Sequence, residues 1–209
     1  MNIDGIVLAG GQSSRYGKPK MFEQYGGKAF YQHSVTALSG GGCRSVCIVT
    51  NGDLAPSFSS TNASVLIEEA PHQGPLAALA FAMDQMADTD WFFVLASDIP
   101  FVRASLVAGL IKEIDSATQI IIPENGQRLQ PLVALYHRDC LATIKQLLKK
   151  GIRSFKPLLE DAKLKRVAFA DNQTDFININ YPDDLSEAKR TLPMQNDRKK
   201  ASKNSAYRE

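Results

Sequence analysis

The sequence predicts a three-layer α/β sandwich built on a mainly parallel, mixed sheet with helices on both faces. Three observations carry that expectation. Strand and helix patterns alternate through the first half of the chain, which is the rhythm of βαβ units. The stretch Trp91–Ala96 (WFFVLA) is apolar without a break, as strands covered on both faces are. No repeat or linker interrupts residues 1–192, so a single domain is expected, followed by a tail at 193–209.

Taken in order, Ile3–Leu8 reads as a buried strand, and Phe22–Phe30 as a small hairpin around Gly26 and Gly27. Phe30–Leu38 has helical spacing and meets a stop at Gly40–Gly42. Ser45–Thr50 is the second strand of the sheet, and Val65–Glu69 the third, with an irregular polar stretch between them. Gly74–Met86 is an alanine-rich helix with Leu76, Leu79, Ala80 and Met83 on one face. Trp91–Ala96 is the fourth strand and Val102–Ile114 the next helix. The second half is less regular. Strands are expected at Thr118–Ile122, Leu132–Tyr136, Leu164–Phe169 and Phe176–Ile177, and a helix over Arg138–Lys149. Pro182–Leu192 is the last helix, with Pro182 in its first turn and Asp183 and Asp184 complementing its positive end.

In an open α/β sheet, ligands bind beyond the carboxyl ends of the strands. Beyond the first strand lies Ala9–Lys20, AGGQSSRYGKPK. Glycine lets backbone approach a ligand closely, exposed amides can line up on anionic oxygens, and Arg15 and Lys20 add full charge. The loop is a phosphate cradle of neither common kind. Gly10, Gly11 and Gly17 do not fit G-x-G-x-x-G, and Lys18 is followed by Pro19, which rules out a P-loop. Beyond the fourth strand comes Ser97-Asp98-Ile99-Pro100. Asp98 could cap the helix near Val102. Opposite a phosphate loop it also suits Mg²⁺, which takes one or two carboxylates plus phosphate oxygens and water. Asn51, Glu68-Glu69 and His72 lie beyond the remaining strands.

A cationic loop, a Mg²⁺ carboxylate and no candidate triad imply phosphoryl or nucleotidyl transfer, where positioning and electrostatics do most of the work. An attacking phosphate is already largely ionised near neutral pH, its second pKa being about 6, so no general base is required. His33 and His137 accordingly read as structural. The three cysteines, Cys43, Cys47 and Cys140, are odd in number and far from histidine in ligand spacing, which fits free thiols in a reducing compartment rather than a metal cage. With 44% hydrophobic and 22% charged residues, composition is that of a globular protein. No apolar run has the length needed to span a bilayer, and the N-terminus lacks a basic start; a cytoplasmic protein with no membrane partner is expected. The tail holds Arg198, Lys199, Lys200, Lys203 and Arg208 against Asp197 and Glu209. It reads as a disordered, solvated end, and nothing else resembles a nucleic-acid footprint.

The motifs together resemble a known family. LAGGQSSRYGKPK is similar to the L-A-G-G-x-S-x-R-M-G-x-x-K signature of the molybdenum cofactor guanylyltransferases. GPLAAL at Gly74–Leu79, SDIPF at Ser97–Phe101, QPLVALY at Gln130–Tyr136 and NINYPDDL at Asn178–Leu185 follow in the family's order. The resemblance spans nearly all of residues 1–192. It implies a Rossmann-like, nucleotide-diphospho-sugar transferase-like fold, and transfer of GMP from GTP to the terminal phosphate of molybdenum-bound molybdopterin with release of pyrophosphate. It implies that Leu8, Ala9, Gly10 and Gly11 line the nucleotide. Lys20 would pair with phosphates, Arg15 would stabilise the transferring group and Asp98 would hold Mg²⁺. Asn51 and Glu69 become nucleotide contacts, and Asn178, Asn180 and Arg153 candidates for the pterin side. Contact with molybdoenzymes or other proteins of the cofactor pathway is implied as well. Tyr16, Ser97 and Tyr181 depart from the family's Met, Cys and Thr. They leave room for CTP as donor, or for a sugar or alditol phosphate as acceptor. The rival from another class is a non-catalytic nucleotide-binding regulator, against which the presence of Arg15, Lys20 and Asp98 together argues.

Overall fold

The computed structural model describes residues 1–191 apart from Gln12, Ser14, Ser60, Thr61 and Asn172. Leu192 and the basic tail lie outside the described residues. The chain runs β1 (Ile3–Leu8), β2 (Gln24–Tyr25), β3 (Lys28–Ala29), α1 (Phe30–Gly41), β4 (Val46–Thr50), β5 (Ser64–Ile67), α2 (Pro75–Gln85) and β6 (Trp91–Ala96). It continues α3 (Ala104–Ile111), β7 (Ile120–Asn125), β8 (Arg128–Leu129), β9 (Val133–His137), α4 (Cys140–Lys149), α5 (Lys156–Asp161), β10 (Leu164–Phe169) and α6 (Pro182–Thr191).

One eight-stranded sheet has the order β10-β7-β9-β6-β1-β4-β5, with β8 paired to β7 at one end of that strand. β6, β1, β4 and β5 are mutually parallel neighbours. β9 runs antiparallel to both β6 and β7, while β10 and β7 are parallel. β2 and β3 form the small hairpin expected around Gly26 and Gly27. β1 lies at the switch point, with the chain moving to β4 on one side and β6 on the other.

Side chains alternate across the sheet as a period of two requires. On β6, Trp91, Phe93 and Leu95 meet α1 and α3, while Phe92 and Val94 meet α2, α4 and α5. Helices therefore cover both faces. α1 packs closely on β1, since a Cβ on Gly5 would sit 2.9 Å from a Leu38 methyl. α1 also runs past the expected stop, taking in Gly40 and Gly41 and ending at Gly42 with φ 109°. The reason is packing: a Cβ on Gly41 would lie 2.4 Å from Val107 of α3. These glycines are a helix–helix contact before they are a terminator.

Other boundaries shift as well. The strand expected at Phe176–Ile177 is instead a 3-10 turn over Thr174–Phe176. Asp175 within it is fully buried and accepts from the backbone N–H of Arg103 at 2.8 Å and from its guanidinium. A buried carboxylate claimed by an arginine fork sets this turn, not a ladder. α5 and β8, unassigned from the sequence, are six and two residues long. No helix among the described residues is long and apolar enough to cross a membrane.

Candidate active site

Parallel register brings the glycine loop and Asp98 together. Leu8 pairs with Ala96 across β1 and β6, so the loop and Ser97-Asp98 leave the sheet side by side. The Ser97 N–H donates to the Leu8 carbonyl at 3.1 Å. Here a cavity of about 490 Å³ opens, within the range of ligand pockets. Its walls include Leu8, Gly10, Gly11, Arg15, Lys20 and Asp98. Glu68, His72, Gly74-Pro75, Tyr16 and Asn180 complete much of the rest.

Lys20 and Asp98 form the centre. The Lys20 ammonium donates to Asp98 Oδ2 at 2.6 Å, to Asn180 Oδ1 at 3.1 Å and to the Ile179 carbonyl at 3.2 Å. Asp98 does not cap α3, whose N-cap position is Arg103. Its second oxygen, Oδ1, is buried with no hydrogen-bond partner among the described residues. A buried carboxylate oxygen left unpaired is costly, and it is the group a hard cation would satisfy. Among the described residues no cluster of three or more His, Cys, Asp or Glu is placed as a cage. A divalent ion here would thus take most ligands from substrate and water, as Mg²⁺ does.

The loop folds back over Lys20. Ser13 has φ 49°, and its carbonyl accepts from the N–H of Tyr16 and of Gly17 at 2.9 and 3.2 Å. Its hydroxyl accepts from the Lys20 N–H at 3.2 Å. Gly17, at φ 78°, supplies the left-handed residue after the turn. Arg15 is exposed at the cavity and forms no ion pair among the described residues, whereas Lys18 points away to Glu23 at 2.6 Å. Tyr16 is buried against Phe30, Phe101, Ile179 and Leu185. Burial and the nearby Glu23 carboxylate push its hydroxyl above the ordinary tyrosine pKa.

The other expected residues divide. Gly10 lies close under Glu68: a Cβ there would sit 2.8 Å from Glu68 Oε2, so a side chain at this position would move that carboxylate. Ala9 is buried, with its N–H on the Val49 carbonyl and its own carbonyl on Thr50 Oγ1 at 3.0 Å. Its backbone serves the sheet and it is not part of the cavity wall. Asn51 also stands behind the wall, where its side-chain carbonyl accepts from the Leu54 N–H at 3.0 Å and its amide reaches the Gly10 carbonyl at 3.4 Å. Glu69 is exposed and outside the wall, and Glu68 lines it instead. Burial raises the Glu68 pKa, partly offset by His72. The alternation of β5 contained this signal, since Glu68 shares a face with the inward Leu66. Asn178 is exposed and away from the cavity, while Asn180 is half-buried in it. Arg153 lines a second cavity of about 930 Å³ with Lys156 and Arg166. Pro75 and Leu132 belong to both walls, so the two cavities adjoin.

The thiols take no part. Cys43, Cys47 and Cys140 are free and buried, and burial pushes each to about 12.

Comparison with known proteins is consistent with this geometry. Residues 5–166 match the family described as the MobA-like NTP transferase domain. The chain belongs to that family. A relative from Halalkalibacterium halodurans, named "Probable molybdenum cofactor guanylyltransferase", is 33% identical over 191 residues, covering 88% of this chain and 96% of its own. A Bacillus cereus protein of the same name is 30% identical over 194 residues, with 90% and 96% covered. Among solved structures, molybdopterin-guanine dinucleotide biosynthesis protein A from Archaeoglobus fulgidus superposes with a TM-score of 0.71 at 22% identity, covering 90% and 97% of the two chains. The 2-C-methyl-D-erythritol 4-phosphate cytidylyltransferase of Thermus thermophilus gives 0.69 at 19%, covering 91% and 98%. At such identities these two structures establish the shared nucleotidyltransferase-type fold and nothing finer.

Proposed function

We propose that this protein transfers GMP from GTP to the terminal phosphate of molybdenum-bound molybdopterin. The observation that carries the reading is the Lys20–Asp98 pair beside the glycine loop, with Asp98 Oδ1 unpaired among the described residues. The names of relatives matched over 96% of their own length support guanylyl transfer to the molybdenum cofactor.

An oxygen of the acceptor phosphate attacks the α-phosphorus of GTP. The bond from that phosphorus to the bridging oxygen of the β-phosphate breaks, and pyrophosphate leaves. The nucleophile is already ionised near neutral pH, its second pKa being about 6, so no side chain need remove a proton. Leu8, Gly10 and Gly11 form the wall against which the nucleotide lies. Lys20 and Arg15 meet phosphate oxygens, where fixed positive charge stabilises charge building in the transition state. Glu68, lining the cavity where Glu69 does not, would accept from ring N–H and amino donors of the base or from ribose. Asp98 is the residue that would hold Mg²⁺, and the ion would supply positive charge to offset that of the phosphates. The adjoining cavity, with Arg153, Lys156 and Arg166 on its wall, suits an anionic acceptor. We place the reaction in the cytoplasm, with product passing to molybdoenzymes or other cofactor-pathway proteins.

The test is turnover with purified protein, Mg²⁺, molybdenum-bound molybdopterin and each of GTP and CTP, read as released pyrophosphate and as the dinucleotide formed. GTP-dependent formation of the guanine dinucleotide supports the reading. Equal or better turnover with CTP would sink the choice of base.

A further inference from the structure

An ammonium group has three N–H donors and no acceptor. Lys20 has all three partnered: Asp98 Oδ2, Asn180 Oδ1 and the Ile179 carbonyl. Two of the three come from a segment 160 and 159 residues further along the chain. That segment is itself held. The backbone N–H groups of Asn180 and Tyr181 donate to Asp184 Oδ2 at 2.8 and 2.9 Å. Asp184 is the third residue of α6, so its carboxylate reaches back in the manner of half a capping box. The Ile179 N–H donates to the Asp98 carbonyl at 2.9 Å, and the Ile179 side chain is fully buried against Tyr16 and Leu185. One short stretch thus fixes both the cation and the carboxylate it faces.

We propose that Asn180 is a positioning residue for Lys20, on the nucleotide side of the site rather than a contact for the acceptor, and that Asp184 acts through it. The proposal rests on the reading above only in that Lys20 meets a nucleoside triphosphate. With three donors occupied, Lys20 can reach a phosphate oxygen only by giving up one partner. Asn180 and the Ile179 carbonyl are neutral acceptors fixed by backbone bonds. Asp98, the carboxylate that would also hold a divalent cation, is the partner Lys20 can release for a phosphate oxygen while Asn180 and Ile179 keep its ammonium in place. Without Asn180, a flexible four-carbon side chain must be ordered by the nucleotide itself, which costs affinity. The acceptor has no share in this role.

The experiment is calorimetric titration of the 209-residue chain with GTP and Mg²⁺, and in parallel with CTP and Mg²⁺, with no acceptor present. Wild type, Asn180→Ala, Lys20→Met and the double variant are compared. Asn180→Ala is expected to weaken the binding of the nucleotide that wild type takes by on the order of tenfold, and Lys20→Met by about 100-fold. Because the two act as a unit, the double variant should match Lys20→Met within about twofold. In turnover, the KM for the nucleotide rises in Asn180→Ala while that for the acceptor holds. Asp184→Asn, which keeps a weaker acceptor at the same place, should show a smaller loss in the same direction. Wild-type nucleotide affinity in Asn180→Ala, or a full further loss on adding it to Lys20→Met, would overturn the proposal. So would a rise confined to the KM of the acceptor. Failure of wild type to bind either nucleotide would overturn the nucleotidyl-transfer reading and this proposal together, and the wild-type titration reads that separately.

Discussion

Two aspartates at opposite ends of the same pair of strands have opposite fates. Asp4, near the start of β1, is fully buried. Its carboxylate accepts from Arg44 Nη2 at 2.6 Å and Nε at 3.1 Å, from the Ser45 N–H and hydroxyl at 3.0 and 2.8 Å, and from the Thr89 hydroxyl. Burial alone would raise its pKa, but the hydrogen bonds from Arg44, Thr89 and Ser45 outweigh that and hold it below the ordinary value. Asp98, just past the end of β6, has one oxygen on Lys20 and the other without a hydrogen-bond partner among the described residues. A saturated carboxylate is finished structure. One left with a buried, unpaired oxygen is held ready for something else. The sheet thus carries its architectural charge at the amino ends of the strands and its chemical charge at the carboxyl ends.

The comparison breaks most visibly in activity. Asp98→Ala should lower nucleotidyl transfer at least about 10³-fold, the scale of losing a central electrostatic group, while the thermal melt stays close to wild type. Full activity in that variant would refute the assignment of Asp98 as the cation ligand. Asp4→Asn is the converse. It removes one member of a buried charged network and should cost about 3 kcal/mol in urea unfolding, with kcat of the folded protein nearly unchanged. The sign of its pH dependence follows from the lowered pKa. The stability from Asp4 is present above the unfolded value of 3.8 and is lost as pH falls through the still lower folded value. The gap between wild type and Asp4→Asn should therefore be full at neutral pH and close only in strong acid.

Smaller effects sharpen the same contrast around the cavity. Glu68→Ala should raise the nucleotide KM by roughly tenfold, the size of a lost hydrogen bond to a charged group. Glu69→Ala, at an exposed position outside the wall, should leave it within about twofold. Because burial raises the Glu68 pKa, nucleotide affinity should start to fall at a higher pH than for an ordinary glutamate as the solution is acidified. A Glu68→Gln variant should lose that inflection. Tyr16→Phe keeps the packing on Ile179 and Leu185 and drops only the hydroxyl, so the expected change in kcat is a few-fold at most.

How much of this was legible in the sequence differs between the two halves of the chain. β1 and β6 fall where their apolar runs place them, because a strand covered on both faces cannot hide its pattern. The crevice rule brings the glycine loop and Asp98 together from strand order alone, and the register of Leu8 with Ala96 shows why. What escaped depended on packing. Gly40 and Gly41 looked like a helix stop, and only Val107 against them explains their place inside α1. Asp175 in its 3-10 turn answers to Arg103, 72 residues away, a pairing no local pattern reveals. Glu69 and Glu68 are adjacent and chemically alike. Only the inward face of β5 separates them, and a four-residue strand with an exposed edge gives that face a weak signature. The family motif assigns Asn180 to the acceptor side, and no local pattern announces its bond to Lys20, 160 residues away.

The central claim is that the Lys20–Asp98 cavity binds a guanine nucleotide and passes its nucleotidyl group to a pterin phosphate. The most direct measurement is a donor panel of GTP, CTP, ATP and UTP with Mg²⁺ and molybdenum-bound molybdopterin, with pyrophosphate release and the dinucleotide product both quantified. The account predicts turnover with GTP, none comparable with the other three, and loss of that turnover in Asp98→Ala. Turnover with CTP equal to or better than with GTP, or GTP turnover that survives in Asp98→Ala, would contradict it.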